Sequence, residues 1–355
     1  MNKVALLILT SIIMLVGCKP DDGPVTPPKD KPVYSLKETP YDFSKVPRIL
    51  GNVKSRIPAD NPLTLEKIAL GKKLFYDPVL SRDYTISCAS CHKPENAFAD
   101  PAKVSVGVEG RLGTRNAPSL INMVLGKSFF WDGNTKTLEE QALIPIEADF
   151  EMDNTIEEVI RRLQADTTYE RMFFEAFGHE PNADGMAKAI ASFERILLSG
   201  NAKLDIFNND RQNFRPTPSE LRGLEIFFDH DRSECSHCHA APLTFTDESI
   251  IDNGLPILGG DSGLALVTGN ASDEGKFKTP TLRNLAFTAP YMHDGRFATL
   301  EEVIDHYTDG FVFRPGLDAN IRKQKPLTDQ EKADLIAFLN MLNEPEVTTN
   351  PEFLP

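Results

Sequence analysis

This 355-residue chain contains two similar pentapeptides, Cys88-Ala89-Ser90-Cys91-His92 and Cys235-Ser236-His237-Cys238-His239. Both have the form Cys-x-x-Cys-His, the sequence at which c-type haem is attached. In such a site the two thiols form thioethers with the porphyrin, and the histidine binds the iron from one side. The chain is therefore predicted to carry two covalent haems. The residue on the other side of each iron decides what that haem does.

The remaining cysteine usage favours haem over the other uses of paired cysteines. The two motifs contain four of the five cysteines. Two Cys-x-x-Cys pairs could also bind zinc, but zinc knuckles usually lie close together and need no histidine after each second cysteine. A disulfide framework is untypical of a chain of this length with many apolar residues.

The fifth cysteine, Cys18, ends a segment that is typical of an export signal. The apolar run at 4–16 is shorter than the roughly 20 residues that span a membrane, and it fits a secretory signal instead. Leu15-Val16-Gly17-Cys18 resembles a bacterial lipobox. Residues 1–17 are therefore predicted to be a lipoprotein-type signal peptide, with Cys18 as the lipid anchor. An ordinary signal peptide with a chance cysteine is the open alternative.

The segment at 18–45 is rich in Pro, Asp and Lys, which predicts a flexible tether. Export would place the protein in the periplasm or at the cell envelope, where it would touch the membrane only through the lipid. The net charge of −14 argues against nucleic acid as a partner, because nucleic-acid binding needs a basic surface. The acidity could steer a basic redox partner or serve only solubility, and both interpretations are open.

An internal repeat divides the chain into two related halves. Three pairs of stretches recur at one separation of 162 positions: Ala117-Pro118-Ser119-Leu120-Ile121-Asn122 with Thr279-Pro280-Thr281-Leu282-Arg283-Asn284, Trp131-Asp132-Gly133 with His293-Asp294-Gly295, and Thr137-Leu138-Glu139-Glu140 with Thr299-Leu300-Glu301-Glu302. A weaker match upstream of the haem motifs pairs Gly71 with Gly223. A period this long indicates two duplicated domains rather than a solenoid.

The local signals are helical, and strand patterns are scarce. Capping boxes, a Thr followed three residues later by Glu, begin at Thr137, Thr217, Thr299 and Thr328. Apolar residues at three- and four-residue spacing predict full helices at 183–198 and 328–342. We therefore predict a mainly α chain of two cytochrome c-like haem domains with long loops, at 46–205 and 206–355. The boundary falls in the stretch at 200–216, which is rich in Asn, Asp and Pro.

The repeat also allows the two haem faces to be compared. The helix predicted to begin at Thr299 carries Tyr307, and the first-half residue in register with Tyr307 is Pro145. A tyrosine oxygen can bind haem iron, as in catalase, whereas proline has no donor atom. This predicts a closed, electron-transferring haem in the second half and an open haem in the first. The open alternative is that Tyr307 is an ordinary half-buried aromatic.

Three further stretches carry a family resemblance: Arg115-Asn116-Ala117-Pro118-Ser119-Leu120, Phe130-Trp131-Asp132-Gly133 and Pro290-Tyr291-Met292-His293-Asp294-Gly295. Together with the haem motifs, they resemble the bacterial dihaem cytochrome c peroxidases and the MauG-type enzymes that mature methylamine dehydrogenase. The resemblance extends from about residue 46 to the C-terminus. MauG-type enzymes have a tyrosine at the place of Tyr307, and the peroxidases usually have a methionine.

The resemblance implies a role for each residue that holds the haems. His92 would be the proximal ligand of a peroxidatic first haem, and His239 that of a second haem through which electrons arrive. The thiols that would attach the haems are Cys88, Cys91, Cys235 and Cys238.

The family also implies roles for residues around the haems. Trp131 would lie between the two haems and couple them. Gln141, Pro145 and Glu151 match residues that follow this tryptophan in the family, which makes Glu151 the distal acid–base residue. The alternative is that Glu151 is a solvated surface carboxylate, because other acidic residues crowd around it.

Two further implications concern a metal ion and the resting state. A calcium ion lies between the domains in the family, bound by an Asn side chain and two backbone carbonyls, and Asn116, Thr288 and Pro290 match those positions. Many members also carry a distal His on the resting first haem, where this chain has a valine, Val108. Valine cannot bind iron, so the first haem is predicted to be five-coordinate or water-bound at rest.

These residues predict an oxidoreductase that reduces hydrogen peroxide to water with electrons from a small cytochrome c or cupredoxin. Peroxide would bind opposite His92, and Glu151 would move its proton. A MauG-like oxidase acting on side chains of a partner protein is an open alternative, which Tyr307 favours. A non-enzymatic dihaem electron carrier is another, which Pro145 and Val108 disfavour. Family members are often homodimers, and the sequence leaves the oligomeric state open.

Overall fold

Helices make up most of the regular structure. The computed structural model describes residues 33–355, so the predicted signal peptide and Cys18 lie outside the described residues. The helices are α1 (Leu65–Tyr76), α2 (Cys88–Cys91), α3 (Leu138–Glu147), α4 (Ile156–Ala165), α5 (Thr167–Phe177), α6 (Ala183–Glu194), α7 (Lys203–Asn209), α8 (Pro218–Phe228), α9 (Cys235–Cys238), α10 (Leu264–Thr268), α11 (Leu300–Asp305) and α12 (Asp329–Asn340). The described residues also contain two short antiparallel strands, β1 (Ile250–Asp252) and β2 (Lys276–Lys278), and several short 3-10 turns. The prediction of a mainly α chain is confirmed.

Each half is built around one closely packed pair of helices. In the first half α1 packs against α6, and in the second half α8 packs against α12. A Cβ atom at Gly71 would lie 1.8 Å from the Ala189 carbonyl oxygen, and one at Gly223 would lie 1.9 Å from the Asp334 carbonyl oxygen. No side chain fits at such distances, so glycine is required where the helices touch. The matched glycines of the repeat therefore mark the same helix contact in both halves.

The helix starts agree with the predicted caps. The side chains of Thr137, Thr217, Thr299 and Thr328 each accept a hydrogen bond from the backbone N–H of the Glu three residues later. These bonds satisfy N–H groups that have no partner inside the helix, which is why a helix begins at each threonine.

One predicted helix ends earlier than its sequence pattern suggests. Helix α6 stops at Glu194 rather than at residue 198. Beyond it the backbone bonds to Asn122, whose N–H donates to the Leu197 carbonyl (2.8 Å) and whose side chain donates to the Ser199 carbonyl (2.8 Å). The apolar periodicity continues through this segment because its residues stay buried after the helix has ended.

The two halves share part of their core. One cluster fills the space between α1 and helices α3–α6, and another fills the second half between α7, α8, α11 and α12. A third cluster brings Val347 and Phe353, near the C-terminus, against Phe75, Phe98 and Phe193 of the first half. The end of the chain therefore packs on the half that it does not belong to in sequence.

The end of the predicted tether is held on the folded chain, which corrects the expectation of flexibility throughout 18–45. The Tyr41 N–H donates to the Leu63 carbonyl (3.2 Å), and the Tyr41 and Phe43 rings meet edge to face with centroids 5.2 Å apart. Both rings pack against the aromatic cluster of the first half. Packing of the two rings offsets the entropy that the segment loses when it is ordered. The Pro-rich composition alone does not indicate this packing. Residues 18–32 lie outside the described part.

Helix α7 occupies the stretch at 200–216, where the domain boundary is predicted. Leu204 belongs to the core of the second half, and Asp205 forms a buried ion pair with Arg283. The division into domains at 46–205 and 206–355 stays a prediction. Within residues 33–355, no helix has the length and apolar composition of a membrane span.

Loss of the buried Asp205 carboxylate is expected to destabilise the second half strongly. Both Arg283 guanidinium ends donate to Asp205, at 2.8 and 2.9 Å, and Arg283 is 1 % exposed. Asp205→Ala would leave a buried cation unpaired, which costs about 3–5 kcal/mol. Denaturant unfolding of the haem-loaded protein measures the effect. Lys45→Ala, which breaks an exposed pair with Glu352, is the control. An equal, small shift of the midpoint in both variants would contradict this account.

Candidate haem sites

The two motif histidines have the same hydrogen bond. His92 Nδ1 lies 3.0 Å from the Phe98 carbonyl oxygen, and His239 Nδ1 lies 3.1 Å from the Phe245 carbonyl oxygen. A carbonyl can only accept, so Nδ1 carries the hydrogen, and Nε2 is left with the lone pair that binds a metal. Burial lowers the pKa of both imidazoles, which favours this neutral, ligating form.

The four motif cysteines lie in single helical turns, α2 and α9. Each turn ends immediately before the motif histidine, so the two cysteines and that histidine are consecutive parts of one short segment, the order that c-type attachment requires.

Both motifs contribute to one continuous cavity of about 660 Å³. Its walls include Cys91 and His92 from the first half, and Cys235, Cys238 and His239 from the second. Paired thiols, a ligating His at each motif and a shared cavity are the features that two neighbouring haems need. The residues present therefore fit the group that the motifs predict.

The predicted distal residues of the first half lie together on this cavity. Gln141 and Pro145 are four residues apart on α3, so they share one helix face, and Glu151 follows in the loop after the helix. All three line the cavity. Burial raises the pKa of Glu151 above its ordinary value, which is unlike a solvated surface carboxylate. The structure therefore places these predicted residues together.

The loop before α3 supports the Glu151 backbone. The Val108 N–H donates to the Glu151 carbonyl (2.8 Å), and a Cβ atom at Gly107 would lie 2.2 Å from the Phe150 carbonyl oxygen. The Val108 side chain is fully buried away from the cavity, which is lined here by Gly107 and Ser105. The Ser105 hydroxyl donates to Asp100 (2.7 Å). The loop therefore presents no strong iron ligand to the cavity. The residues that line the cavity here are Gly107 and Ser105, and not Val108 as the sequence suggested.

Tyr307 lies on the same cavity in the second half. Helix α11 continues directly into a π-helical turn, His306–Gly310, and Tyr307 is its second residue. Such π-helical turns are frequent at functional sites, because the widened turn redirects a side chain. Burial raises the pKa of Tyr307 to about 12, so the phenol is neutral unless a cation lies opposite its oxygen. The position matched to Tyr307 by the repeat, Pro145, has no side-chain donor.

Trp131 is hydrogen-bonded to both halves. Its Nε1–H donates to the Asn116 carbonyl (2.8 Å), and its own carbonyl accepts from the Lys278 N–H on β2 (2.7 Å). The Asn116 N–H in turn donates to the His293 carbonyl (2.8 Å). The indole therefore lies in the cavity wall where the two halves meet, as an intermediary between two haems would.

Comparison with known proteins agrees with this architecture. A sequence model described as di-haem cytochrome c peroxidase matches residues 65–213 and 222–312. The chain belongs to this family. Two haems and an oxidoreductase activity of the cytochrome c peroxidase type follow from membership. The alternative of a non-enzymatic electron carrier is not retained.

Relatives of this chain include both MauG proteins and cytochrome c peroxidases. The methylamine utilization protein MauG of Methylorubrum extorquens is 38% identical over 300 residues, covering 83% of each chain. The cytochrome c551 peroxidase of Pseudomonas aeruginosa is 32% identical over 304 residues, again covering 83% of each. The crystal structure of a MauG-like protein associated with microbial copper homeostasis matches with a TM-score of 0.76 and 33% identity, covering 92% of this chain and 98% of that one.

A polar cluster beside Trp131 was not predicted from the sequence. Arg115 donates to Asp132 (2.6 Å) and, through two bonds of 2.8 Å, to Asp261 of the second half. The His293 ring stacks on Phe277 with centroids 3.6 Å apart. The repeat could have pointed to His293, because it matches this residue with Trp131. Burial lowers the pKa of His293 to about 4, so this ring is neutral.

The predicted calcium ligands border the same cavity, which Asn116, Thr288 and Pro290 all line. The Asn116 amide donates to the carbonyls of Asp100 (3.1 Å) and Ala102 (2.9 Å), which leaves its Oδ1 as the remaining acceptor. In the described part of the chain, no group of three or more His, Cys, Asp or Glu could hold a metal ion. The predicted calcium site uses amide and carbonyl oxygens instead.

Proposed function

We propose that this chain is a c-type dihaem peroxidase that reduces hydrogen peroxide to water with electrons from a small redox protein, a cytochrome c or a cupredoxin. The observation that carries the proposal is the difference between the two ends of the cavity. Glu151, Gln141 and Pro145 border the part that belongs to the first half, whereas Tyr307 borders the second. Relatives named cytochrome c peroxidase support the same reaction.

The chain's own residues would hold the two haems. Cys88 and Cys91 would attach the first haem, with His92 as its iron ligand. Cys235 and Cys238 would attach the second, with His239 and Tyr307 as its ligands. When bound, the first haem supplies the iron that receives peroxide and the electrons that break the O–O bond.

Glu151 performs the proton transfer in this proposal. Its carboxylate accepts a proton from one oxygen of hydrogen peroxide and returns it to the other oxygen, which leaves as water. The raised pKa suits the task, because a base whose pKa lies nearer the working pH also becomes a usable acid. The Val108 N–H holds the Glu151 backbone, and the Gln141 amide lies beside the same space.

Trp131 connects the two halves for electron transfer. The second haem, held by Cys235, Cys238 and His239, would supply the entry point for electrons from the donor protein, and the Trp131 indole would link the two halves for their passage. The indole N–H is held by its bond to the Asn116 carbonyl, and the Trp131 backbone carbonyl is held by the Lys278 N–H. A calcium ion bound by Asn116 Oδ1 and the carbonyls of Thr288 and Pro290 would stiffen this contact, since hard oxygen ligands suit calcium.

We further propose that the protein works in the periplasm or at the cell envelope, anchored by lipid on Cys18. The sequence supports this placement through the signal-like segment at 1–17 and through c-type haem attachment, which takes place outside the bacterial cytoplasm.

A second function is supported by one observation. Tyr307 lies where MauG-type enzymes have a tyrosine, and the MauG protein of Methylorubrum extorquens is 38% identical. The alternative is therefore an oxidase that takes electrons from side chains of a partner protein.

A steady-state assay distinguishes the two functions. The purified dihaem protein is supplied with hydrogen peroxide and a reduced small cytochrome c or cupredoxin, and oxidation of the donor is followed. Multiple turnovers that are lost in Glu151→Gln are expected. Absence of turnover with every small donor, together with intact reaction of the haems with peroxide, would contradict the peroxidase proposal and favour the oxidase.

A further inference from the structure

Asn253 contacts the oxygen atom of Tyr307. It follows β1 directly, and its Nδ2–H donates to the Tyr307 Oη at 3.3 Å. Both side chains line the same cavity. The two residues are 54 positions apart in sequence, so only the fold brings them together.

The backbone of Asn253 contacts the neighbouring residue of the same π-helical turn. The Asn253 carbonyl accepts a hydrogen bond from the His306 Nε2–H at 3.0 Å. His306 is 3 % exposed, and its ring lies against the Tyr307 ring with centroids 5.1 Å apart. One residue therefore holds two consecutive residues of the turn, one through its main chain and one through its side chain.

The orientation of the Asn253 amide is set by its own turn. The Leu255 N–H donates to Asn253 Oδ1 (3.3 Å), so Nδ2 must lie on the opposite side of the amide, toward Tyr307. Arg314 fixes the base of the turn through a two-bond ion pair with the buried Asp252 and a bond to the Leu255 carbonyl (2.9 Å). The hydrogen bond to Tyr307 is thus made by a rigidly placed donor.

Met292 is the other neighbour of the same amide. Its sulfur lies 3.9 Å from Asn253 Nδ2, and its backbone has a φ of 74°, which is rare for a residue with a side chain. A thioether is a weak acceptor, so the phenol oxygen is the stronger partner of the amide.

We propose that Asn253 is a positioning residue that sets how strongly the Tyr307 oxygen donates to the iron of the second haem. The inference rests on the axial role of Tyr307 in the proposed function. A hydrogen bond to a ligating oxygen withdraws electron density from it, and outer contacts of this kind tune the metal. The bond therefore raises the reduction potential of the second haem above that of a haem with an unbonded tyrosinate. A haem tuned in this way accepts electrons more readily from the donor protein.

Two substitutions test the role of the amide. Asn253→Leu removes the donor while keeping the main-chain carbonyl that His306 uses. Asn253→Asp keeps an oxygen for the Leu255 N–H but replaces the donor with an acceptor. Both variants are expected to move the tyrosinate-to-iron charge-transfer band of the oxidised protein to longer wavelength and to lower the midpoint potential of the second haem. The first haem should keep its spectrum.

Two controls separate this inference from the proposed axial role. Met292→Leu removes the other neighbour of the amide and should leave the band at its wild-type wavelength. Tyr307→Phe should abolish the band. A wild-type band that persists in Tyr307→Phe would overturn the axial role and the inference with it. A band that depends on Tyr307 but keeps its wavelength, with an unchanged potential, in both Asn253 variants would overturn the inference alone.

Discussion

Replacement of Glu151 by glutamine is expected to lower peroxide turnover by roughly 10²–10⁴-fold, the usual contribution of a general acid–base residue. The amide keeps the size of the carboxyl group but cannot accept and return a proton. The absorption spectra of both haems should stay nearly unchanged, because Glu151 is not an iron ligand in this account. Turnover is measured with a fixed reduced donor over a range of peroxide concentrations.

The matched control for Glu151 lies four residues earlier. Glu147, the last residue of α3, is exposed, and Glu147→Gln removes the same charge without touching the cavity wall. Its turnover should equal that of the wild type. Wild-type turnover in Glu151→Gln would remove Glu151 from the mechanism.

The pH dependence of turnover offers an independent check on the same residue. Burial raises the pKa of Glu151, and the carboxylate is the form that accepts the proton. Below its raised pKa, Glu151 is already protonated and cannot accept the proton. We therefore expect kcat/KM to fall with decreasing pH, at a pH above the ordinary glutamate pKa of about 4.3. The acidic limb should be missing from the residual activity of Glu151→Gln.

Replacement of Trp131 by phenylalanine is expected to slow electron transfer between the haems by about tenfold or more, equivalent to about 1.4 kcal/mol in the barrier. Phenylalanine lacks the indole N–H that bonds the Asn116 carbonyl, and it is harder to oxidise. Rapid mixing of peroxide with protein reduced at the second haem, followed at that haem, gives the rate.

A neighbouring aromatic residue provides the control for Trp131. Phe130 precedes it and lines the same cavity. Phe130→Leu should leave the rate of electron transfer near the wild-type value, since the account assigns the coupling to the indole. Equal rates in wild type and Trp131→Phe would show that electrons pass without the indole.

Much of the fold could be predicted because its signals are local. A threonine with a glutamate three residues later is enough to start α8 or α12, and the predicted starts are observed. The early end of α6 could not be predicted, because Asn122, far away in sequence, competes for the backbone beyond Glu194. The docking of Tyr41 on the first half was missed for the same reason, since its partner Leu63 lies outside the segment.

The candidate site could be predicted where the repeat supplied an internal comparison. Tyr307 and Pro145 stood out because they occupy matched positions with opposite chemistry. Val108 does not line the cavity and is followed by a tight turn in which Glu109 has a φ of 59°, and the sequence pattern contains no sign of this turn. Asn253 was missed because β1 and β2 are only three residues long and leave no periodic signal.

The central claim is that two similar haem motifs serve unlike haems. Electron paramagnetic resonance of the fully oxidised protein tests it most directly. We expect one high-spin haem, open opposite His92, and one low-spin haem with His239 and Tyr307 as ligands, in equal amounts. Two low-spin haems and no high-spin signal would contradict it.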